Sequence, residues 1–157
     1  MCVSVKSPLI LLFEVSAAFS GFFYGEMEMA LAYSSTIRNA MLNAITTAAG
    51  ASALLSIYNG ARPATGGTAT TLLAQLTCNA TFAPAASGGV LTLNSITNNN
   101  AAATGTASWF RITSAATTFC LDGDVGTSGS DLNLTTTSIV SGQPVAVSSF
   151  IITEGNP

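Results

Sequence analysis

The residues of this chain best suited to chemistry are three aspartates, Asp122, Asp124 and Asp131, in the segment Asp-Gly-Asp-Val-Gly-Thr-Ser-Gly-Ser-Asp. Carboxylates at i and i+2 among glycines open many calcium loops, because a hard cation takes oxygen ligands from a turn that glycine can bend. The pattern fails at its next ligand position, Gly126, lacks the bidentate Glu that closes such a loop, and has no helical flanks. Paired carboxylates can also hydrolyse glycosides, but that chemistry needs a cleft and a supporting polar shell, and these three share one short segment. The reading left is local: Asp side chains accept hydrogen bonds from nearby amides and shape turns.

Other reactive constellations are missing from the sequence. There is no His, which removes the commonest general base and metal ligand. Ser and Thr are plentiful, but no Lys or His is placed to activate one, and Lys6 lies ahead of the domain. Gly66-Gly67 has neither the helix nor the Lys of a phosphate loop. Cys2, Cys78 and Cys120 are odd in number and unrelated in spacing, so they form no CxxC motif and no disulfide framework. With four basic residues and a net charge of −3, the chain has no electrostatic footprint for nucleic acid. The expectation is a protein without catalytic residues, cofactor or metal. What remains are contact residues: Trp109 and Arg111 side by side on a strand, and Arg62 in a glycine-rich loop, are the candidate interface, since Trp and Arg are enriched at binding hot spots.

The elements that must position these residues are read from periodicity. Ser34 or Ser35 can cap a helix that ends at Gly50, with Ile37, Met41, Ala44, Ile45 and Ala48 on its apolar face and Arg38, Asn39 and Asn43 opposite. That face can lie on a sheet or dock a partner. Strands are expected at residues 53–58, 70–82, 90–96, 103–113 and 118–122, around Leu132 and Leu134, and from Val145 to Ile152. In the second of these, Leu72, Ala74, Leu76, Cys78, Ala80 and Phe82 share one face, with Cys78 as a buried thiol. Residues 98–100 read as a polar loop and 122–131 as a Gly/Asp/Ser loop. Cys120 is expected on the face opposite Phe119 and Leu121. The fold class is mainly β: an antiparallel β-sandwich of about eight strands, jelly-roll-like or immunoglobulin-like, with one short N-terminal α-helix.

Residues 1–28 form a leader, an arm or a segment upstream of a start at Met29, and residues 29–157 a single domain. Lys6, the apolar run Leu9–Phe13 and the small residues near Ser20 resemble a secretory signal interrupted by Glu14, a run too short to span a membrane. Gly25-Glu26 before Met29 fits a ribosome-binding site at the level of the gene. Charged residues are 7% of the chain, against about 25% for an average soluble domain. A skin of hydroxyls, amides and methyls suits a protein held in an assembly.

Four strings, Asn59–Gly67, Asn79–Leu91, Gly105–Arg111 and the stretch from Asp122, resemble small virion proteins of tailed bacteriophages and prophages. The resemblance covers roughly residues 30–156. It implies a non-enzymatic structural component, a capsid decoration (cement) or minor head-tail protein. Its partners would be phage capsid or tail proteins and further copies of itself, with neither nucleic acid nor membrane. It implies localisation in the virion, assembled in the host cytoplasm, where thiols stay reduced. Two alternatives stand beside it. A receptor- or carbohydrate-binding module of a phage fibre would need a solvent-facing platform from Trp109, Tyr33 and Tyr58. A secreted bacterial surface β domain would need the signal peptide.

Overall fold

In the computed structural model, which describes residues 31–155, the first element is α1, Ser35–Ala49. The Ser34 side chain accepts from the Ile37 N–H, satisfying one of the donors a helix start leaves open, and Gly50, at φ 67°, ends the helix with its N–H on the Thr46 carbonyl. Start and stop fall where the sequence marks them. The buried face does not. Ile37 and Met41 remain 47% and 42% exposed, while Leu42 and Ala49 are buried, so the helix is rotated from its expected seating. The cause is hydrogen bonding. Asn39 and Asn43 turn inward, and their side-chain oxygens accept from the N–H groups of Gly89 and Ala86, both at 2.8 Å. Arg38 Nη1 donates to the Glu154 carbonyl at 3.0 Å. A buried amide left unpaired costs about 1–3 kcal/mol, so serving three backbone groups outweighs keeping two half-exposed side chains dry.

Eleven strands follow among the described residues: β1 (Leu54–Tyr58), β2 (Leu72–Thr77), β3 (Val90–Thr92), β4 (Asn99–Asn100), β5 (Gly105–Thr106), β6 (Trp109–Thr113), β7 (Phe119–Gly126), β8 (Leu132–Leu134), β9 (Ser138–Ile139), β10 (Pro144–Val145) and β11 (Val147–Thr153). Seven form one sheet in the order β2-β1-β6-β7-β8-β11-β3, and β10-β4 and β5-β9 form two-stranded ribbons. The fold is mainly β with one short helix. The sheet is mixed: Val125 and Gly126 pair in parallel with Leu132 and Asn133, whereas every other pairing is antiparallel. This corrects the purely antiparallel expectation.

The sheet curls around its core. Phe110 on β6 and Phe150 on β11 are separated by two strands, a span of roughly 14 Å in a flat sheet. Their rings nevertheless meet edge to face with centroids 4.9 Å apart. Helix α1 packs on both β3 at the sheet's edge and β7 in its middle, which the same curl allows. Leu55, Ile57, Leu76, Phe82, Leu91, Ile112, Leu132 and Leu134 are buried in one core. Cys78 is buried among them, as expected.

Several strands differ from their sequence outline because pairing partners, not alternation, set their ends. The 70–82 strand stops at Thr77, and a bulge against Ile57/Tyr58 shifts its phase, so Leu73 is buried and Leu72 exposed. The 103–113 strand is broken at Ala107-Ser108 into β5 and β6, which belong to different sheets. Asn99-Asn100, expected as loop, pairs with Val145-Pro144. The 122–131 loop is in its first half strand, because β7 continues to Gly126. A bulge between Val147 and Ser149 sets β11 so that Phe150 is buried and Ile151 exposed. The reading of residues 1–28 as leader, arm or upstream segment lies outside the described residues.

Candidate functional site

Period two along β6 sends Phe110 and Ile112 into the core and Trp109, Arg111 and Thr113 to the opposite face. The antiparallel register of β6 with β7 sets Trp109 opposite Asp124 and Arg111 opposite Asp122, with Gly123 under Phe110. Gly123 is needed there, since a Cβ at this position would lie 2.5 Å from Phe110 Cε1. On the other side, β1 sets Tyr58 opposite Trp109. One outer face of three strands thus collects an aromatic pair, a guanidinium and two carboxylates.

Arg111 and Asp122 form a two-pronged ion pair, Nε to Oδ1 at 2.7 Å and Nη2 to Oδ2 at 2.8 Å. Their side chains are 13% and 5% exposed. The hydrogen bond that Arg111 donates to Asp122 raises the Arg111 pKa, burial working against it and the carboxylate's charge with it, so the guanidinium stays charged. It also lies 5.3 Å from the Trp109 ring centre and 5.4 Å from that of Phe119, a cation held between aromatic rings. Trp109 stacks on Tyr58 at 4.3 Å with 13° between planes, and its indole N–H donates to Thr70 Oγ1 at 2.9 Å. Thr70 in turn donates to the Asn59 carbonyl.

Thr70 and Asn59 belong to the β1–β2 connection, which turns at Asn59-Gly60 and crosses this face. Arg62 on it reaches the Asp122 carbonyl at 3.4 Å and Asp124 Oδ1 at 3.6 Å. The Gly66 N–H donates to Asp122 Oδ2 at 3.4 Å. Between the connection and β7 lies an open groove of about 420 Å³, lined by Arg62, Pro63, Thr65, Phe119, Cys120 and Asp122.

The structure therefore brings the three candidate residues, Trp109, Arg111 and Arg62, into one cluster around Asp122. It gives them unequal access. Trp109 is fully buried within the chain and Arg111 nearly so; Arg62 is 42% exposed. Trp109 lies outside the main core cluster, beneath the β1–β2 connection. Tyr58, Thr70, Phe119 and Asp122 complete the cluster; of these only Tyr58 was singled out in the sequence as a contact residue, as part of a carbohydrate-binding platform. Arg111 and Asp122 share an alternation phase on neighbouring strands, which is the one signal that could have paired them. Asp122 and Asp124 are corrected from turn formers to strand residues. Asp131 does act locally, Oδ2 accepting from the Asp124 N–H at 3.0 Å.

Cys78 and Cys120 are both free thiols. Burial pushes the Cys78 pKa up to about 12 and raises that of Cys120, against a backbone hydrogen bond at Ser114 that lowers it. Cys120 sits at the bulge where Ile112 pairs Leu121 and Thr113 pairs Phe119, which leaves it half-buried beside the core. Cys2 lies outside the described residues. Among the described residues no cluster of three or more Cys, Asp or Glu is placed to hold a metal ion, and no helix is long and apolar enough to cross a membrane. Comparison with known proteins finds no match to a family model, a curated protein or a solved structure.

Proposed function

We propose that this protein is a non-catalytic structural component of a phage particle, a decoration or minor head-tail protein that binds repeated sites through neutral surface. The observation that supports this reading most directly is how its cations are used. Arg38, Arg62 and Arg111 all bond to oxygens of the chain itself. The groups left facing water are largely hydroxyls, amides and methyls, with Leu31, Ile37, Met41, Val140 and Ile151 among the exposed apolar side chains. Contacts made by such a surface rest on apolar burial and neutral hydrogen bonds, which salt screens weakly or strengthens. The carbohydrate-binding alternative has less support, because Trp109 and Tyr58 are stacked on each other under the β1–β2 connection instead of forming an open platform.

The test is co-sedimentation of the purified protein with particles that lack it, at low salt and at roughly 0.5 M salt, where the Debye length falls to a few ångströms. Retention at both is expected. Release at moderate salt would show an electrostatic contact and overturn the neutral-surface account. No binding to any head or tail preparation would overturn the virion reading.

A further inference from the structure

The outward side of α1 carries a stripe that the packing of the described residues leaves exposed. Ile37, Met41, Ala44 and Ala48 are all exposed, and their spacing of four, three and four residues places them along one line, as in the seam of a helix pair. The stripe is graded, with two large side chains towards the N-terminus and two methyls towards the C-terminus. It carries no charge, since Arg38, the helix's one ionisable residue, is turned inward to the Glu154 carbonyl. The helix has no acidic residue in its first turn and no basic residue in its last, so no side-chain charge offsets the partial charges at its ends.

We propose that this stripe is the docking surface for a second copy of the chain, paired as antiparallel helices about a two-fold axis between residues 42 and 43. The inference deepens the reading of the protein as an assembly component by naming the surface through which copies meet. Antiparallel alignment centred there puts Ile37 against the partner's Ala48 and Met41 against the partner's Ala44, each large side chain over a small one, twice by symmetry. It also sets the positive end of each helix dipole beside the negative end of the other, the charge complement that the side chains do not supply. Parallel packing would crowd isoleucine on isoleucine at one end, leave a hollow between alanines at the other, and bring like dipole ends together. A seam of about three turns is smaller than the ~1,600 Å² of a standard stable interface, so the pair is a weak, reversible dimer that gains strength where many copies are held close.

Sedimentation of the full chain over roughly 1–1,000 µM should show one-chain particles giving way to two-chain particles. Ile37→Glu and Ala48→Lys should each weaken association at least tenfold while leaving the melting temperature of the monomer unchanged. Mixing these two variants should restore dimers, because the new charges face each other across the axis. Mixing Ile37→Glu with Ile37→Lys should not, since in the antiparallel pair these positions lie roughly 16 Å apart along the helices. Rescue by the second mixture instead of the first would show parallel packing and overturn the proposal. A dimer indifferent to all three variants would place the contact elsewhere. A chain that stays monomeric throughout also overturns it, and a fall in melting temperature on Met41→Glu in that chain would assign the stripe to an intramolecular cover. A monomer that still binds particles sinks the helix pair alone, whereas a dimer that binds none sinks only the virion reading.

Discussion

At Asp122 both carboxylate oxygens face the Arg111 guanidinium, and the pair is largely shut off from water. Removing one member of such a pair leaves the other's charge buried and unmatched, which typically costs about 3–5 kcal/mol, whereas replacing both by apolar groups can be neutral. Asp122→Ala should therefore destabilise by about 3 kcal/mol in denaturant unfolding, and adding Arg111→Met should recover part of the loss. An additive double mutant would show that the two do not act as a pair. At Thr117, a β-branched residue holds φ 65° in the β6–β7 turn, a left-handed conformation that costs a non-glycine residue about 1–2 kcal/mol. Thr117→Gly relieves this and gives back part of it as chain entropy, so the variant should gain about 0.5–1 kcal/mol and melt higher. Cys78 predicts a pH dependence. Its thiol titrates at about 12 in the folded chain against an ordinary 9.0, so between those values the folded state keeps a proton that the unfolded state has released. Its contribution to stability is complete below pH 9.0 and is lost as pH rises towards about 12. Cys78→Ala should show a shallower alkaline fall in melting temperature than the parent; an identical slope would remove Cys78 from the account.

Helix α1 is attached by Leu42 and Ala49 in the core, with Ile45 packed against it, and by hydrogen bonds to the turn before β3. Gly88 and Gly89 both have positive φ, and the Gly89 N–H serves Asn39 while its Cα faces the Arg38 guanidinium. A side chain at Gly89 would be strained by φ 79° and would also meet Arg38 and, at 3.1 Å, the Glu154 carbonyl. Gly89→Ala should cost about 2–3 kcal/mol, the left-handed penalty plus displacement of a packed group. Hydrogen exchange should show the loss first in α1 and in the ends of β3 and β11. Protection lost evenly over the sheet would mean that the helix and the turn are not coupled as described.

For the domain taken whole, the consequence of its bonding pattern is a surface with few available charges. The Asp122 oxygens are taken by Arg111 and Gly66, Asp124 pairs with Arg62, and Asp131 accepts from the Asp124 amide. A calcium ion would have to displace these partners. Calcium or a chelator should therefore leave the melting temperature unmoved, whereas a ligand confined to the folded state at a hundred times its dissociation constant adds about 2.7 kcal/mol. A calcium-dependent rise of several degrees would show that the three aspartates open to bind.

Local signals in the sequence determined where elements begin and which class they build. Ser34 and Gly50 bound α1 because a cap and a left-handed glycine act within one turn of backbone. Leu54–Tyr58 and the Asn59-Gly60 turn were legible because alternation and turn chemistry are likewise local, and Cys78 read as buried for the same reason. Trp109, Arg111 and Arg62 could be picked out by type, but not joined. What only the tertiary structure decided depends on partners far along the chain. Register across β6 and β7 made Asp122 an ion-pair partner and drew Asp-Gly-Asp into a strand, with Gly123 there because Phe110 fills its side-chain space. Bulges, which leave no mark in a period-two pattern, rephased β2 and β11. Helix α1 turned its asparagines inward because amides at Ala86 and Gly89 needed acceptors, and a hydrophobic count along α1 carries no information about unpaired groups some fifty residues away.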